Sequence, residues 1–568
     1  MKIVFAASEA APYIKTGGLG DVAQALPAAL SDYADNEVYL FLPYYGKIKD
    51  NTNITAEYIG YFYTDLSWRH QYVGLYKAQG TKERLHVYFL DNEQYFKRDG
   101  GIYGHDDDGE RFAFFSKAIL DALVYLKVAP NIIHCNDWQT ALLPIFLHAF
   151  YEQALGGAKT VFTIHNIEYQ GWADPYFLGD VLGLSSDYES TLTYKNSINF
   201  MKGAILACDA LTTVSRTYAQ EIRYPYFAHG LSPIIEEHAF KLHGIVNGID
   251  VTGNDPAVDK NLACNYDRKN LCGKATCKSQ LQQQLGLPVR NDVPVIGMVT
   301  RLVSHKGLDL LCRVAEELMQ WDIQLIVLGT GDAYYENRLR DIAQRHANKF
   351  SLTLRFSASL AAAIYAASDL YLMPSKSEPC GLSQMIALRY GTIPIVRETG
   401  GLRDTVLSYN EYTGDGNGFS FFNYNAHDML HVIERACDYY HNHKDVWALL
   451  QQRGMTGDYS WYASAEKYMA MYERLAVPAT EEEAPVEVTE NPNEAPVVEA
   501  APVAEEAPVV EAPKKKAAPR KKAAPKAAEG EEKKPAAKRT RKPAAKKAEK
   551  PAEEAAVTEE KPKRTRKT

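Results

Sequence analysis

No apolar run in this sequence approaches the roughly 20 residues that a membrane helix requires. Cysteine is scarce, eight among 568 residues and none in a C-x-x-C pair, so a disulfide scaffold is excluded and reduced thiols in a cytoplasm are expected. Aromatic residues stop at Tyr472. Beyond that point the charge separates by sign. Residues 478–512 carry ten Glu and no Lys or Arg, and residues 513–568 carry 21 Lys and Arg against eight Glu. Low-complexity Ala, Pro, Glu and Lys without aromatics cannot bury enough surface to offset the entropy of ordering, so 478–568 is expected to be disordered. The opening stretch, Met1 to Ser8, is too short in apolar residues for a signal peptide and predicts a first core strand.

What is present is an alternation of short apolar runs with longer helical patterns. Strands are expected at Lys2–Ala7, Glu37–Leu42, Leu85–Leu90, Ile132–Cys135 and Thr160–His165. A second series is expected at Val293–Thr300, Ile323–Leu328, Leu352–Phe356, Leu370–Met373 and Ile393–Val396. Between them, stretches such as 111–126 repeat apolar residues every three or four positions, the period of a helix. Strands apolar throughout imply burial on both faces, hence parallel sheets covered by helices. The polar stretch at 250–280 separates the two series. The fold class expected is therefore α/β, with two Rossmann-like doubly wound domains facing across a cleft. Their bounds are 1–248 and 249–477, followed by the tail 478–568. A last helical stretch near 463–476 is expected to cross back to the first domain.

The candidate chemistry sits where strands end. Lys15-Thr16-Gly17-Gly18-Leu19-Gly20-Asp21 follows the first strand and leads into a helix, a place where glycine N–H groups and a lysine can meet an anion. It is neither the dinucleotide fingerprint nor a Walker loop, which disfavours nicotinamide chemistry and P-loop ATP hydrolysis. In the second half, Arg301 and Lys306 lie five residues apart just past a strand, suited to clamp a diphosphate. Pro374–Leu382 follows another strand and contains Glu378, a carboxylate able to orient sugar hydroxyls. Gly400-Gly401-Leu402 follows the next.

In these blocks the sequence resembles bacterial glycogen synthases and plant starch synthases, glycosyltransferase family 5 with the GT-B fold. The resemblance also rests on Asn136-Asp137-Trp138-Gln139-Thr140, Phe162 to Gly171, Gly244 to Asp250 and Thr399 to Val406, all in the family's order within 1–476. It implies transfer of glucose from a nucleoside diphosphate glucose, most often ADP-glucose, to the 4-hydroxyl of an α-1,4-glucan with anomeric retention. It implies no metal and no cofactor. Carried over by position, His165, Arg301, Lys306 and Glu378 are the catalytic candidates. Lys15, Gly18, Asp21, Tyr95, Asp137, Asn247, Cys380, Gly381 and Leu382 are the substrate-binding ones. Lys376-Ser377 stands where Arg-Phe is common, and Asn136 where His is frequent.

Other readings compete with these. A related transferase using UDP-glucose or another acceptor, and a glucan-binding scaffold, are the alternatives. Asp106-Asp107-Asp108 reads as a solvated helix start rather than a metal site. Cys264, Cys272 and Cys277 are spaced by eight and five, which fits no zinc knuckle. Cys380 before a helix invites a lowered thiol pKa or plain packing. For the tail, either its acidic half partly neutralises its basic half in a solubilising segment, or its basic half binds nucleic acid or another anionic partner weakly by counterion release.

Overall fold

A computed structural model describes residues 1–476; the expected disordered tail, 478–568, lies outside the described residues. The first sheet has nine strands. From one edge to the other they run Leu242–Gly244, Ala210–Thr213, Lys159–Ile164, Ile132–Asn136, Lys2–Ala6, Glu37–Pro43, Leu85–Asp91, Arg69–Ala78 and Ala56–Leu66. The first seven are parallel to one another, and the last two form an antiparallel hairpin on the Leu85–Asp91 edge. The second sheet has six parallel strands in the order Phe350–Thr353, Gln324–Leu328, Val295–Val299, Leu370–Met373, Ile393–Arg397 and Phe419–Phe421. The two α/β bodies of the expected fold are therefore present.

The central strands form where continuous apolar runs occur because both faces are covered. Val4, Phe5, Phe41, Ile133 and Phe162 are fully or almost fully buried in the first sheet, and Ile296, Leu325 and Ile395 in the second. The covering helices carry the matching period. In Leu308–Leu318 the buried positions are Leu308, Leu310, Leu311, Val314, Ala315 and Leu318, one stripe facing the sheet.

Two expectations are corrected, and three short strands are added. The strand expected at 352–356 lies at Phe350–Thr353. The entirely parallel first sheet gains the antiparallel hairpin Ala56–Leu66 and Arg69–Ala78. The narrow strands Ala210–Thr213, Leu242–Gly244 and Phe419–Phe421 extend the two sheets. The hairpin escapes an apolar-run reading because one of its faces is solvent-exposed and lined by tyrosines.

Both sheets reverse their winding. In the first, the chain steps outward from Lys2–Ala6 through Glu37–Pro43, then returns to the other side at Ile132–Asn136. In the second, the reversal falls between Val295–Val299 and Leu370–Met373. At such a switch point the loops leaving the two adjacent strands part, and a crevice opens at the strands' carboxyl ends.

The last helix, Trp461–Ala476, packs on the first sheet. Tyr472 donates its hydroxyl at 2.6 Å to Nδ1 of buried His134, whose Nε2 meets Thr163 at 2.5 Å. Ser464 donates to the Val246 carbonyl at 2.7 Å, and Asn36 reaches Met469 Sδ at 3.2 Å. The chain thus tethers its second body back to the first. Replacing Tyr472 by Phe leaves one polar atom of a buried imidazole unpartnered, so urea unfolding should report a loss of about 1–3 kcal/mol; an unchanged midpoint would show that this hydrogen bond contributes nothing.

Candidate active site

In the second body the loops leaving Val295–Val299 and Leu370–Met373 enclose a cavity of about 200 Å³ lined by Thr300, Arg301, Lys306, Ser375, Glu378 and Gly381, among others. Glu378 is its best-fixed group. Lys306 Nζ donates to both carboxylate oxygens, at 2.9 and 2.7 Å, and Ser375 Oγ donates to one at 2.9 Å. Burial alone pushes this carboxyl up. The Lys306 charge and its hydrogen bonds, together with Ser375, outweigh that and hold it below the ordinary carboxylate value. It therefore remains an anion inside the protein.

The loop carrying Glu378 is clamped from three sides. The Lys376 N–H donates to the His305 carbonyl at 2.8 Å, which ties it to the Arg301–Lys306 turn. Arg397 donates to the Lys376 carbonyl at 2.8 Å. Glycines allow the close approach. Gly307 has φ +75°, and a Cβ there would lie 2.0 Å from the Pro374 carbonyl oxygen; at Gly400, with φ +44°, it would lie 2.0 Å from the Glu378 carbonyl oxygen. Arg397 and Ser375, which sequence reasoning passed over, support this loop; only their nearness to the two strand ends could have signalled them.

The first body contributes a contrasting set of buried hydrogen-bonding groups. Asn136 donates its Nδ2 to the Ala6 carbonyl at 3.0 Å, which turns its Oδ1 toward His165 Nε2 at 2.9 Å. An amide oxygen only accepts, so Nε2 carries the proton and Nδ1 keeps a free lone pair. Burial pushes the His165 pKa down to about 3, which keeps the ring neutral. Asp137 follows on the same strand end. Its φ of +55° with ψ −178° is a conformation glycine occupies and other residues reach at a cost of about 1–3 kcal/mol. Its carboxylate accepts from the backbone N–H groups of His165 at 2.8 Å and Asn166 at 3.4 Å. Burial pushes this carboxyl up to about 7 against the pull of those two donors, and the Glu9 charge adds to the rise.

The glycine loop lies one strand away. Buried Glu9 anchors it by accepting from the Thr16 N–H and, at 2.7 Å, from the Thr16 hydroxyl. Lys15 pairs with Asp21 at 2.7 Å, exposed beside the start of helix Gly18–Leu30. A Cβ at Gly18 would meet nothing within 4 Å beyond its chain neighbours and its own helix backbone, so this position faces open space.

Asn247 and Cys380 meet where the two bodies join. The Asn247 backbone N–H points at the Cys380 sulfur, and the Asn247 Oδ1 is buried without a partner. Cys380 lies in the first body's core. Burial pushes its thiol up to about 12 against that N–H, so the structure supports packing over reactivity. Next to it, Ser215 Oγ accepts the Tyr218 N–H, capping a short helix, and donates to the Pro379 carbonyl at 2.7 Å. Thr217 pairs with Asp404, and Glu221 accepts from Thr399 and the Gly400 N–H at 2.8 to 3.1 Å. Burial first, and then the Lys306 charge, push the His305 ring below its ordinary value. Gly381 and Leu382 line the cavity. Tyr95 is buried away from this lining, with its hydroxyl donating to Glu110 at 2.6 Å. Asp107 and Asp108 are taken up by Arg98 and Arg111 at the start of helix Asp108–Leu126.

Comparison with known proteins gives a consistent picture. The family profile described as starch synthase catalytic domain matches residues 2–237, and glycosyl transferases group 1 matches residues 281–446. A glycogen synthase of Clostridium acetobutylicum is 50% identical over 479 residues, spanning 83% of this chain and 99% of the relative. One of Streptococcus mutans is 45% identical over 480 residues, spanning 84% and 100%. Among solved structures, the catalytic domain of starch synthase IV from Arabidopsis thaliana, bound to ADP and acarbose, aligns with a TM-score of 0.76 at 35% identity, covering 84% of this chain and 99% of that one.

The raised Asp137 pKa gives a signed expectation for pH. Between about pH 4 and 7 the folded state holds a proton that the unfolded chain has shed, so the Asp137 contribution to stability falls as pH rises across that window. Asp137→Asn keeps the acceptor oxygen and removes the titration. Its unfolding free energy, followed by urea titration, should lack that fall; parallel pH profiles for variant and wild type would show that the carboxyl is not raised.

Proposed function

The chain belongs to the glycogen synthase family of glycosyltransferases, and from that premise we propose that it extends an α-1,4-glucan by transferring glucose from ADP-glucose with retention at the anomeric carbon. The carrying observation is the Lys306–Glu378–Ser375 cluster in the second body's cavity, set at a switch point beside Arg301. An ammonium shared between a buried carboxylate and an open cavity is suited to receive a diphosphate. Arg301 and Lys306 neutralise the charge that appears on the leaving phosphate as the C1–O bond breaks. ADP as the departing group is supported by the ADP held in the Arabidopsis starch synthase IV structure.

Glu378, held by one ammonium and one hydroxyl, is a poor nucleophile and keeps accepting capacity for a hydroxyl of the donor glucose. The first body takes the sugar and the acceptor. His165 offers an unprotonated Nδ1, Asn247 an unpartnered Oδ1, and the glycine loop the Lys15 ammonium, the Asp21 carboxylate and open space at Gly18. Leu382, Gly381 and Cys380 form the backbone floor beside the sugar, and Asp137 seats the acceptor by fixing the turn at His165. In this reading the glucan 4-hydroxyl attacks C1 from the face the phosphate leaves. Its proton passes to the departing diphosphate, so no carboxylate need bond to the sugar. Asp137 and Glu378 are thus not the paired carboxylates of a glycosidase. We place Tyr95 behind these groups as a support, through Glu110.

The tail beyond Val477 adds a separate, charge-based expectation of weak binding to nucleic acid or other anions. The catalytic account assigns it no part, and a cytoplasmic location follows only as an expectation from the enzyme's substrates.

The assay is transfer of labelled glucose to glycogen from ADP-glucose and from UDP-glucose. Wild type should prefer ADP-glucose. Lys306→Ala and Glu378→Ala should each lower turnover by about 100-fold or more. Gly18→Ala should fold normally and still lose activity, because only a ligand occupies the space its methyl would fill. Wild-type rates in the Lys306 and Glu378 variants would remove the charge cluster from the mechanism.

A further inference from the structure

The helix Arg216–Glu221 belongs to the first body, but it and its capping residue bond to the second through three side chains. Ser215, the cap, donates to the Pro379 carbonyl at 2.7 Å. Thr217 and Glu221 stand four residues apart and so share one face of the helix. Thr217 donates its hydroxyl to Asp404 at 2.6 Å and its N–H at 3.0 Å. Glu221 Oε1 accepts the Thr399 hydroxyl at 2.8 Å, and both carboxylate oxygens lie 3.1 Å from the Gly400 nitrogen. Thr399 and Asp404 flank the helix Gly400–Thr405, which is thereby held at both ends by the first body.

Glu221 thus fixes the backbone against which the Glu378 loop rests. Gly400 presses so closely on that loop that a Cβ would lie 2.0 Å from the Glu378 carbonyl oxygen. The next N–H, of Gly401, donates to the same carbonyl at 3.2 Å and to the Pro379 carbonyl at 3.1 Å. A displaced Gly400 therefore displaces Glu378 through hydrogen-bonded backbone. Burial raises the Glu221 carboxyl above its ordinary value. The Thr399 and Gly400 donors and the Arg397 charge pull against that rise, and the Asp404 charge adds to it. Arg397, the cation among these groups, donates to the Lys376 carbonyl at 2.8 Å on the same loop.

The same short helix also supports the first body's part of the site. Tyr218 is buried, and its hydroxyl accepts the Ile167 N–H at 3.3 Å, two residues beyond His165. One element thereby ties the His165 turn to the Glu378 loop. Resting on the proposed function, we infer that Glu221 is a positioning residue for the transfer of glucose. It acts through Gly400, holding the Glu378 carboxylate in register with His165 so that both meet the donor sugar together. A contact that only glued the two bodies would change stability and leave the turnover of folded molecules alone. A positioning contact changes turnover, and does so only while Glu378 is present.

The test measures kcat for glucose transfer from ADP-glucose to glycogen with the full chain carrying Glu221→Ala. It should fall about tenfold or more, since a small misplacement of a group on the reacting sugar is costly. Glu221→Gln keeps an oxygen where Oε1 accepts both donors, and should stay within about threefold of wild type. In a Glu378→Ala background, adding Glu221→Ala should lower kcat by no more than about twofold, because the carboxylate it positions is gone. If Glu221→Ala does not fold, Thr399→Val removes the partner hydroxyl at similar volume and should lower kcat in the same direction. Amide exchange over residues 375–382 reads the loop without turnover, and Glu221→Ala should speed it about tenfold. Unchanged kcat, or an equal fold loss with and without Glu378, overturns the positioning role and leaves Glu221 an interface contact. Unchanged amide exchange overturns it too. A wild type that transfers glucose from neither ADP-glucose nor UDP-glucose refutes the glucosyl-transfer reading instead; amide exchange then decides whether Glu221 holds the Glu378 loop.

Discussion

A carboxylate taken out of water stays charged only if a cation and donors replace the lost solvent, and that constraint organises the second half of this protein. Glu378 meets it through Lys306 and Ser375. Each of its partners must then be held in turn, which explains the surrounding clamps. His305 holds Lys376, Arg397 holds the same loop from the adjacent strand, and glycines at 307 and 400 let two segments press against it. The Lys306–Glu378 pair sets a fixed charge pattern beside the cavity.

The first half is built on the opposite principle. Burial without a counter-charge keeps His165 and His134 neutral and raises Asp137, so these strand ends offer hydrogen-bonding atoms in place of fixed cations. A nucleotide sugar has the same division, an anionic diphosphate joined to an uncharged ring. The meeting of Asn247 with Cys380, and of Ser215 with Pro379, brings the two halves together. The final helix tethers the halves through Tyr472 and Ser464.

Much of this was legible in the letters, for a physical reason. Parallel strands are buried on both faces and so announce themselves as apolar runs, and their carboxyl ends are where Lys15, Asp137, His165, Arg301 and Glu378 fall. Leu370–Met373 was located to the residue. The aromatic hairpin was not, because one of its faces is wet and a bulge breaks its alternation. Nor were the supporting contacts of Asn136, Glu9, Ser375 and Arg397 legible, since they join residues distant in sequence through backbone atoms that no side-chain pattern encodes. Of the two readings open for Cys380, burial favours packing over reactivity, since a position before a helix says nothing of burial.

The account rests on Lys306 being shared between Glu378 and the diphosphate. A crystal structure of the protein with ADP and a glucan fragment tests this most directly. Phosphate oxygens should lie within about 3 Å of the Lys306 ammonium and the Arg301 guanidinium, with the sugar end of the crevice bounded by Glu378 and His165. Phosphates seated elsewhere, with the Lys306–Glu378 pair undisturbed and touching no ligand, would contradict it.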